Sequence, residues 1–241
     1  MAGRIAPKVS TDGLLMYLDA TNTKSYIGSG TTWIDISGKG KNGLLTNSPT
    51  FSSSNLGCIV FDGLDDYVRF TNSEGRVLGG SDWFPMSTSA FTFDTWIKSP
   101  GLASGRTVNG VISLTYGLTM NITSIGRVQT LVWDNLLSVS NYTSSVKTNM
   151  YDGSWHHIVT SNDSLTSKIY IDGILDVSTS APFYGDVKTI WYGSGCVLGH
   201  DVNNPPISRF NGNMGVFRMY NRALSAQEVL QNYNTLKSRY I

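Results

Sequence analysis

The chain has 241 residues, of which 40% are apolar and 15% are charged, and its formal net charge at neutral pH is +1. The aromatic and aliphatic content is enough to build a core, which excludes intrinsic disorder. A neutral chain without a run of Lys or Arg lacks the basic footprint of a nucleic-acid-binding protein. No apolar stretch approaches the ~18 residues of a membrane span. The composition therefore predicts one globular domain with no nucleic-acid partner and no membrane insertion.

The acidic residues favour strands and turns over helices. Fifteen of the 17 are Asp, and Glu occurs only at positions 74 and 228. Glu is a good helix former, whereas Asp is common in turns, as are the 25 Gly. This usage predicts an all-β fold.

In chain order, residues 1–12 are predicted to form a polar arm, and one domain is predicted over 13–241. The run 13–20 suits a strand that is buried on both faces. The polar segment 21–43 is expected to be a surface loop without regular structure, anchored by Trp33 and Ile34.

Short strand candidates follow, separated by Gly-rich turns, and Asp172-Gly173 gives the clearest hairpin signal. Many short strands with almost no helix predict a sandwich or a closed barrel. The candidates are 57–61, 67–70, 90–98, 110–120, 128–133, 155–161, 168–172, 174–178, 196–198 and 213–220.

One helix is predicted near the C-terminus. Ser225 followed by Glu228 fits a capping box, and Leu224 and Val229 fit the apolar staple that often accompanies it. The face predicted to dock on the sheets carries Leu230, Tyr233 and Leu236.

Cys58 and Cys196 both lie in apolar runs and have no metal or redox spacing. Buried free thiols and a single long-range disulfide both remain open.

Three segments together resemble a known family. They are VFDGLDDYVRF at 60–70, DGSWHHIVTSNDSLTSKIYIDGILDVS at 152–178, and FNGNMGVFRMYNRALSAQEVLQNYN at 210–234. In this order and spacing they are similar to the laminin-G-like branch of the concanavalin A-like lectin/glucanase superfamily. The resemblance implies a jelly-roll sandwich of two antiparallel sheets and a role in binding.

The opening segment 13–51 resembles the laminin-G-like domains of virion proteins in tailed bacteriophages. That resemblance implies a virion surface protein, a head decoration, fibre or tail-associated adhesion module, made in the host cytoplasm without a signal peptide. Its implied partners are other virion proteins and host-surface glycans, and a homo-oligomer is expected. The alternatives are a structural decoration protein that binds no glycan and, with less support, a polysaccharide depolymerase.

The enzymes of the same superfamily provide a test for catalysis. A retaining glycosidase needs two carboxyl groups about 5–5.5 Å apart, and in the glucan-hydrolysing relatives they resemble a Glu-x-Asp-x-x-Glu strand. Here Glu74 lies in a polar loop and Glu228 in the helix cap, so this mechanism is excluded. An Asp pair stays open, although Asp65 and Asp66 should point to opposite faces. Asp94 and Asp134 have no partner visible in the sequence, and we predict no enzymatic activity.

The three histidines are expected to be structural. His156 and His157 are adjacent on a strand and so face opposite sides, which does not suit a shared metal. His200 is expected to be a plain surface residue.

Calcium is the ion that this sequence could hold most readily. The segment DISGKGKNG offers Asp35, Asn42 and free carbonyls, which are ligands that Ca²⁺ prefers. Lys39 and Lys41 weaken this prediction, and a loop held only by hydrogen bonds is the alternative. Asp62, Asp65 and Asp66 form a second cluster, for which a turn-forming role is favoured.

Glycan binding requires an exposed aromatic ring with polar groups around it. Trp96, Trp133 and Trp155 lie in apolar alternation and are predicted to be core residues. The ligand-binding candidates lie in irregular polar segments, where packing under a loop is the alternative role. They are Trp83, Phe183, Tyr184, Trp191 and Tyr192.

Overall fold

The computed structural model describes residues 8–72, 90–114, 118–134, 139–180, 196–202 and 207–241. Within these residues, two antiparallel sheets of eight strands each pack face to face. One α-helix, α1 (Ala226–Tyr240), follows the last strand. The predicted all-β, two-sheet sandwich with a C-terminal helix is therefore confirmed.

The first sheet is centred on the long strand that precedes the helix. This strand, β16 (Asn211–Tyr220), pairs along one edge with β7 (Ala90–Lys98). Along its other edge it pairs with β5 (Cys58–Asp62) and then with β1 (Leu14–Asp19). In spatial order the strands, numbered along the chain, are β14 (Ile174–Ser180), β13 (Thr166–Ile171), β12 (Trp155–Asp163), β7 (Ala90–Lys98), β16 (Asn211–Tyr220), β5 (Cys58–Asp62) and β4 (Thr50–Ser52), with β1 (Leu14–Asp19) beside the second half of β16.

The second sheet is built mostly from hairpins between consecutive strands. In spatial order its strands are β11 (Val139–Ser144), β10 (Val128–Asp134), β9 (Leu118–Thr123), β8 (Val108–Leu114), β15 (Cys196–Leu198), β6 (Tyr67–Thr71), β3 (Asn42–Thr46) and β2 (Thr32–Trp33).

The main core lies between the sheets and follows the two-residue period of the strands. On β7, Phe91, Phe93 and Ile97 point into this core, where they meet Val68 and Phe70 of β6 and other apolar side chains. Burying a side chain of this size contributes roughly 1.5–3 kcal/mol. The intersheet core is therefore the main source of the fold's stability.

The helix covers the outer face of the first sheet. Trp96 of β7 points to this face and stacks on Tyr240, with ring centroids 4.5 Å apart. Ser225 and Glu228 form the predicted capping box. Strands β7, β12 and β16 are thus buried on both faces. No helix in the described part of the chain is long and apolar enough to cross a membrane.

The docking face of α1 differs from the predicted one. Leu236 is buried as predicted, Tyr233 is half-buried, and Leu230 is 44% exposed. The capping box and the buried Val229 fix the rotation of the helix, and the next residue lies 100° further around it. The buried residues are Val229, Asn232, Leu236 and Tyr240.

Two predictions about strands were wrong. The run 110–120 contains parts of two strands, because β8 and β9 pair with each other antiparallel. The segment 21–43 was expected to lack regular structure, but it includes β2, which pairs with β3. Trp33 is fully buried as predicted, whereas Ile34 is 44% exposed. The Ile34 backbone carbonyl instead accepts a hydrogen bond from the buried Ser25 hydroxyl at 2.5 Å.

The described part of the predicted arm, residues 8–12, contacts α1. The Ser10 N–H donates to Asn232 Oδ1 at 2.8 Å, and the Tyr220 hydroxyl donates to the Ser10 carbonyl at 3.0 Å. Gln231 donates to the Lys8 carbonyl at 2.6 Å. The boundary at residue 12 stays a prediction.

Cys58 and Cys196 are both buried and both free. They lie on β5 and β15, which belong to different sheets. Of the two interpretations left open by the sequence, the structure shows the buried thiols.

Candidate functional site

The loop aromatics predicted to bind a ligand lie outside the described residues. Positions 73–89 and 181–195 contain all of them, so their role stays a prediction. They are Trp83, Phe183, Tyr184, Trp191 and Tyr192.

The described residues form a cleft of about 690 Å³ between β1, the loop that follows Asp35, and the residue after β16. Sites for small molecules commonly enclose about 300–1,000 Å³. The cleft joins segments that are far apart in sequence, so no local sequence pattern predicts it. Its lining residues are Val9, Thr11, Gly13, Leu14, Leu15, Tyr17, Ile36, Ser37, Lys39, Lys41 and Asn221.

Asp35 holds one wall of the cleft in place. Its Oδ1 accepts the N–H groups of Tyr17 at 2.9 Å and Ser37 at 2.8 Å. Its Oδ2 accepts the Ser37 hydroxyl at 2.8 Å and the Lys41 N–H at 3.1 Å. A carboxylate has about four acceptor positions, so these four bonds saturate it. Asp35 thus fastens the loop to the edge of β1.

The calcium site predicted at Asp35 and Asn42 stays a prediction. In the structure, Asn42 Oδ1 accepts the Asp35 N–H at 2.9 Å, so both side chains already have hydrogen-bond donors. A bound cation would have to replace several of these bonds, because it needs the same oxygen atoms. The observed geometry is that of the alternative, a loop held by hydrogen bonds.

Two lysines give the cleft its charge. Lys39 lies between Gly38 and Gly40, whose φ angles of 82° and 68° are in the left-handed region that glycine adopts readily. This backbone places Lys39 and Lys41 on the same wall. Among the described residues, the lining contains no carboxylate, and the nearby Asp12 is paired with Arg222 at 2.9 Å.

The other polar groups of the cleft are neutral. Thr11 is exposed and Asn221 is half-exposed, and neither side chain has a hydrogen-bond partner among the residues that the structure describes. Tyr17 adds a half-buried ring, with the Arg218 guanidinium 5.6 Å from its centroid. The cleft therefore combines an aromatic edge, hydrogen-bonding groups and two cations.

The acidic cluster between β5 and β6 forms a turn. One oxygen from each of Asp62, Asp65 and Asp66 lies within 4.8 Å of the others. Asp62 Oδ1 accepts the Leu64 N–H at 2.7 Å, and Asp66 Oδ2 accepts the Asp62 N–H at 3.1 Å. Burial, helped by the neighbouring carboxylates, raises the pKa of Asp66 to about 6. These contacts agree with the turn-forming role that the sequence favoured.

Arginines surround this turn. Arg106 donates to the Gly63 and Leu64 carbonyls at 2.9 and 2.8 Å. The guanidinium groups of Arg69 and Arg209 lie 5.5 and 5.6 Å from the centroid of the Tyr67 ring. Two guanidinium groups therefore make cation–π contacts with the Tyr67 ring.

The prediction that His200 is a plain surface residue was wrong. It is 8% exposed, and its ring packs edge-on against Tyr67 with centroids 5.3 Å apart. The chain folds back here, since the Phe210 N–H donates to the Gly199 carbonyl at 2.8 Å. Burial, with the charge of Arg209, lowers the pKa of His200 to about 4. At neutral pH His200 is an uncharged packing residue.

Asp94, for which the sequence showed no partner, is the centre of a buried network. Its Oδ1 accepts Arg218 Nη2 at 2.7 Å and lies 3.0 Å from His157 Nε2. Its Oδ2 accepts the Asn232 amide at 2.8 Å. Burial opposes ionisation, but Arg218 and His157 outweigh it and hold the pKa of Asp94 below its usual range. Because Asp94 is fully buried, the network has a structural role.

His156 and His157 are both buried and hydrogen-bonded, as predicted. His156 Nδ1 lies 3.1 Å from Asp172 Oδ2, and its Nε2 lies 3.2 Å from Asp152 Oδ1. Burial disfavours the charged ring, but the two carboxylates outweigh it and raise the pKa of His156. The two imidazole rings contact different carboxylates, Asp172 and Asp152 for His156 and Asp94 for His157, so the rings share no ligand.

The carboxylates that could suggest catalysis have structural partners or lie outside the described residues. Hydrogen bonding to Arg222 is the main cause that lowers the pKa of Glu228 to about 2. Glu74 and the side chain of Asp134 lie outside the described part. Asp65 is exposed and Asp66 is buried, but one oxygen of each lies within 4.8 Å of the other. The prediction that they point to opposite faces was wrong, because both residues lie in the turn between β5 and β6 and not on a strand.

The fold and the cleft define a lectin-like β-sandwich of the kind that serves as a binding module. A family model described as Laminin_G_3, of the concanavalin A-like lectin/glucanases superfamily, matches residues 62–230. This match spans more than half of the chain, and the chain belongs to this family. No curated protein sequence matches this chain.

Solved structures with a similar fold are binding domains of clostridial toxins. The binding domain of Paraclostridial Mosquitocidal Protein 1 has 15% identity and a TM-score of 0.69, with 92% of this chain and 52% of that chain covered. Botulinum neurotoxin type C, which enters cells by a route dependent upon interaction with two ganglioside molecules, has 14% identity and a TM-score of 0.67, with 94% and 52% covered.

A third is the binding domain of botulinum neurotoxin DC in complex with rat synaptotagmin II, with 14% identity and a TM-score of 0.66, and with 94% and 52% covered. The chain spans about half the length of these neighbours, and at such identity the likeness concerns the fold.

Proposed function

We propose that this chain is a non-enzymatic binding module that holds a glycan in the cleft between β1 and the Asp35 loop. The observation that carries the proposal is the cleft itself, which has the volume of a ligand site and presents the side chains of Thr11 and Asn221, neither of which has a hydrogen-bond partner among the described residues. Membership of a lectin-like family and similarity to toxin binding domains support it.

The cleft has the chemistry that saccharides require. Sugar rings have apolar C–H faces and hydroxyl groups in fixed directions, so their sites combine aromatic or aliphatic surface with planar hydrogen-bonding groups. Tyr17, Leu14 and Ile36 supply the apolar surface, and Thr11 and Asn221 supply hydrogen bonds. Because Asp35 fixes the loop before binding, little ordering entropy is lost when a ligand binds.

Filling the cleft tests this function. Thr11 is exposed and lines the cleft, so Thr11→Trp should block it and abolish binding on a glycan array. Thr50→Trp, at an exposed position outside the lining, is the control and should bind like the wild type. Equal retention by both variants would place the glycan elsewhere, and no retention by the wild type would refute glycan binding.

The same array tests the predicted loop aromatics and calcium. Tyr184→Ala and Trp191→Ala lose binding if the loops outside the described residues contribute to the site. Arrays with calcium and with a chelator show whether retention depends on the ion predicted at Asp35 and Asn42.

We further propose that the module is displayed on the surface of a virion as a homo-oligomer, among other virion proteins. The resemblance of segment 13–51 to tailed-phage virion domains supports this location. A density map of the intact particle tests it, since the chain should occupy a symmetric position on the head, tail or fibre. Absence of the chain from purified particles would refute it.

A structural decoration protein is the second candidate, and the contact between the arm and α1 favours it. Ser10 is buried against Asn232 and Tyr220, so the described part of the arm is attached to the domain. Deleting residues 1–7 preserves these contacts and should prevent incorporation into particles while the domain stays folded. Normal incorporation would count against this candidate.

A further inference from the structure

We infer that residues 8–12, the described part of the arm, act as a strap over the cleft that opens without unfolding the domain and closes on a bound ligand. This inference rests on the proposed function and specifies how the same site is controlled. Val9 and Thr11 line the cleft. Ser10 between them is buried against Asn232 of α1 and Tyr220 of β16. The strap therefore forms part of the cleft wall with two residues and is attached to the domain by the one between them.

Hydrogen bonds attach the strap to the helix. The Ser10 N–H donates to Asn232 Oδ1 at 2.8 Å, and the Ser10 hydroxyl donates to Glu228 at 3.0 Å. Gln231 donates to the Lys8 carbonyl at 2.6 Å. These three partners all belong to α1, so the helix holds this part of the cleft wall in place although none of them lines the cleft.

The strap ends at a turn that can serve as its hinge. The Leu14 N–H donates to the Thr11 carbonyl at 3.2 Å, and Gly13 within this turn has a φ of 71°. Glycine adopts such an angle readily. Arg222 donates to the Asp12 carbonyl at 3.1 Å and pairs with the Asp12 carboxylate at 2.9 Å. The turn separates the strap from β1, which begins at Leu14.

The strap has no anchor in the apolar core. Among the described residues, none of residues 8–12 belongs to the apolar clusters, whereas Leu14 does. Detaching the strap therefore exposes little core surface and breaks hydrogen bonds that water can replace. Segments of this kind open locally at a lower free-energy cost than global unfolding.

The opposite wall of the cleft is fixed more firmly. The Tyr17 N–H donates to Asp35 at 2.9 Å, and the Tyr17 hydroxyl donates to Asp19 at 3.2 Å. Asp19 is paired with Arg239 of α1 at 2.9 Å, and β1 pairs with β16 along its length. One wall thus belongs to the sheet and the other can move. A ligand that contacts both walls binds the closed strap better and shifts the equilibrium towards it.

Hydrogen exchange of the residue 10 amide, measured by NMR on the full chain, provides the test. The strap variant combines Ser10→Ala with Gln231→Ala, which removes side-chain bonds of the strap and keeps the residue 10 N–H. The control combines Ser238→Ala with Gln227→Ala, the same residue types at exposed positions of α1. The probe is the glycan that the wild type retains most strongly on the array.

Three results are expected, each as a protection factor. In the wild type, residue 10 should be protected about a hundredfold less than Phe93, because Phe93 lies in the central strand β7 and exchanges by global unfolding. The strap variant should lose about a further tenfold, because bonds to Glu228 and Lys8 are gone. The control should match the wild type. Saturating glycan should raise the protection of residue 10 in the wild type about tenfold.

The other outcomes separate this inference from the proposed function. Equal protection of residue 10 and Phe93 would show that the strap opens only with the whole domain and would overturn the inference. Equal protection in the strap and control variants would do the same. A glycan that binds without changing the protection of residue 10 would overturn the strap and leave glycan binding intact. No retention of any glycan on the array would refute the proposed function, and this inference with it.

Discussion

Asn232 on α1 donates its side-chain amide to Asp94 on β7 at 2.8 Å, and both residues are fully buried. Asn232 Oδ1 accepts the Ser10 N–H, so one side chain joins the arm, the helix and the sheet. Asp94 also accepts Arg218 of the neighbouring strand β16 at 2.7 Å. The network is therefore a central attachment of the helix to the sandwich.

Asp94→Ala should lower the free energy of unfolding by about 3–5 kcal/mol, because it leaves the buried Arg218 without its counter-charge. Denaturant unfolding followed by tryptophan fluorescence measures the change. The control is Asp12→Ala, which breaks a pair in which the Asp12 side chain is 86% exposed. It should cost less than about 1 kcal/mol. Similar losses in both variants would contradict the role given to burial.

Asp66 should make stability depend on pH. Its folded-state pKa is raised to about 6 from an ordinary value of 3.8, so the folded state binds the proton more tightly. The resulting stabilisation is present below pH 3.8 and is lost as the pH rises to about 6. Asp66→Asn removes this loss and should gain relative to the wild type between pH 4 and pH 7.

Thermal unfolding at several pH values measures this gain. We expect about 1 kcal/mol, less than the full shift implies, because water screens the exposed Asp62 and Asp65 that contribute to it. A constant difference between variant and wild type across this range would be inconsistent with the raised pKa.

The capping box should contribute measurably to helix docking. Ser225→Ala removes the acceptor of the Glu228 N–H and should cost about 1 kcal/mol. Ser238→Ala, at an exposed position in the last turn, removes no cap and is the matched control. Chemical denaturation of both variants provides the comparison, and an equal effect of the two changes would argue against the cap.

Cys58 and Cys196 should be unreactive in the folded protein. Both thiols are buried, and burial raises the pKa of Cys196 well above its usual value. A thiol reagent should therefore label neither in buffer and both in denaturant, since the thiolate is the reactive form. Rapid labelling of native protein, or a mass change of two hydrogens on reduction, would contradict the free buried pair.

The sequence predicted the elements that depend on local interactions. The helix cap needs only Ser225, Glu228 and the staple residues Leu224 and Val229, all within six consecutive residues. The structure has the capping box, and both staple residues are buried in one cluster. Strand β7 begins and ends where its alternation predicts. The prediction of a single strand over 110–120 was wrong because apolar periodicity does not show where a chain reverses between two adjacent strands.

The candidate site was less accessible to sequence reasoning. The sequence indicates Lys39 and Lys41 only as residues that weaken a calcium site. It does not indicate the cleft, because the other lining residues come from distant segments. Asn221 is about 180 positions away in the chain and joins them only because β1 pairs with β16. The partners of Asp94 were missed for the same reason, since Arg218 and Asn232 are more than 120 positions away.

The sequence by itself determined the all-β class, the strand-rich order of the chain, the capped helix and the family resemblance. These follow from composition and from patterns within a few residues, where the physics is local. Only the tertiary structure decided which charges are buried together, which face of α1 docks, and where a ligand-sized cleft opens. Those properties depend on which distant strands become neighbours, because burial and Coulomb interactions act through space and not along the chain.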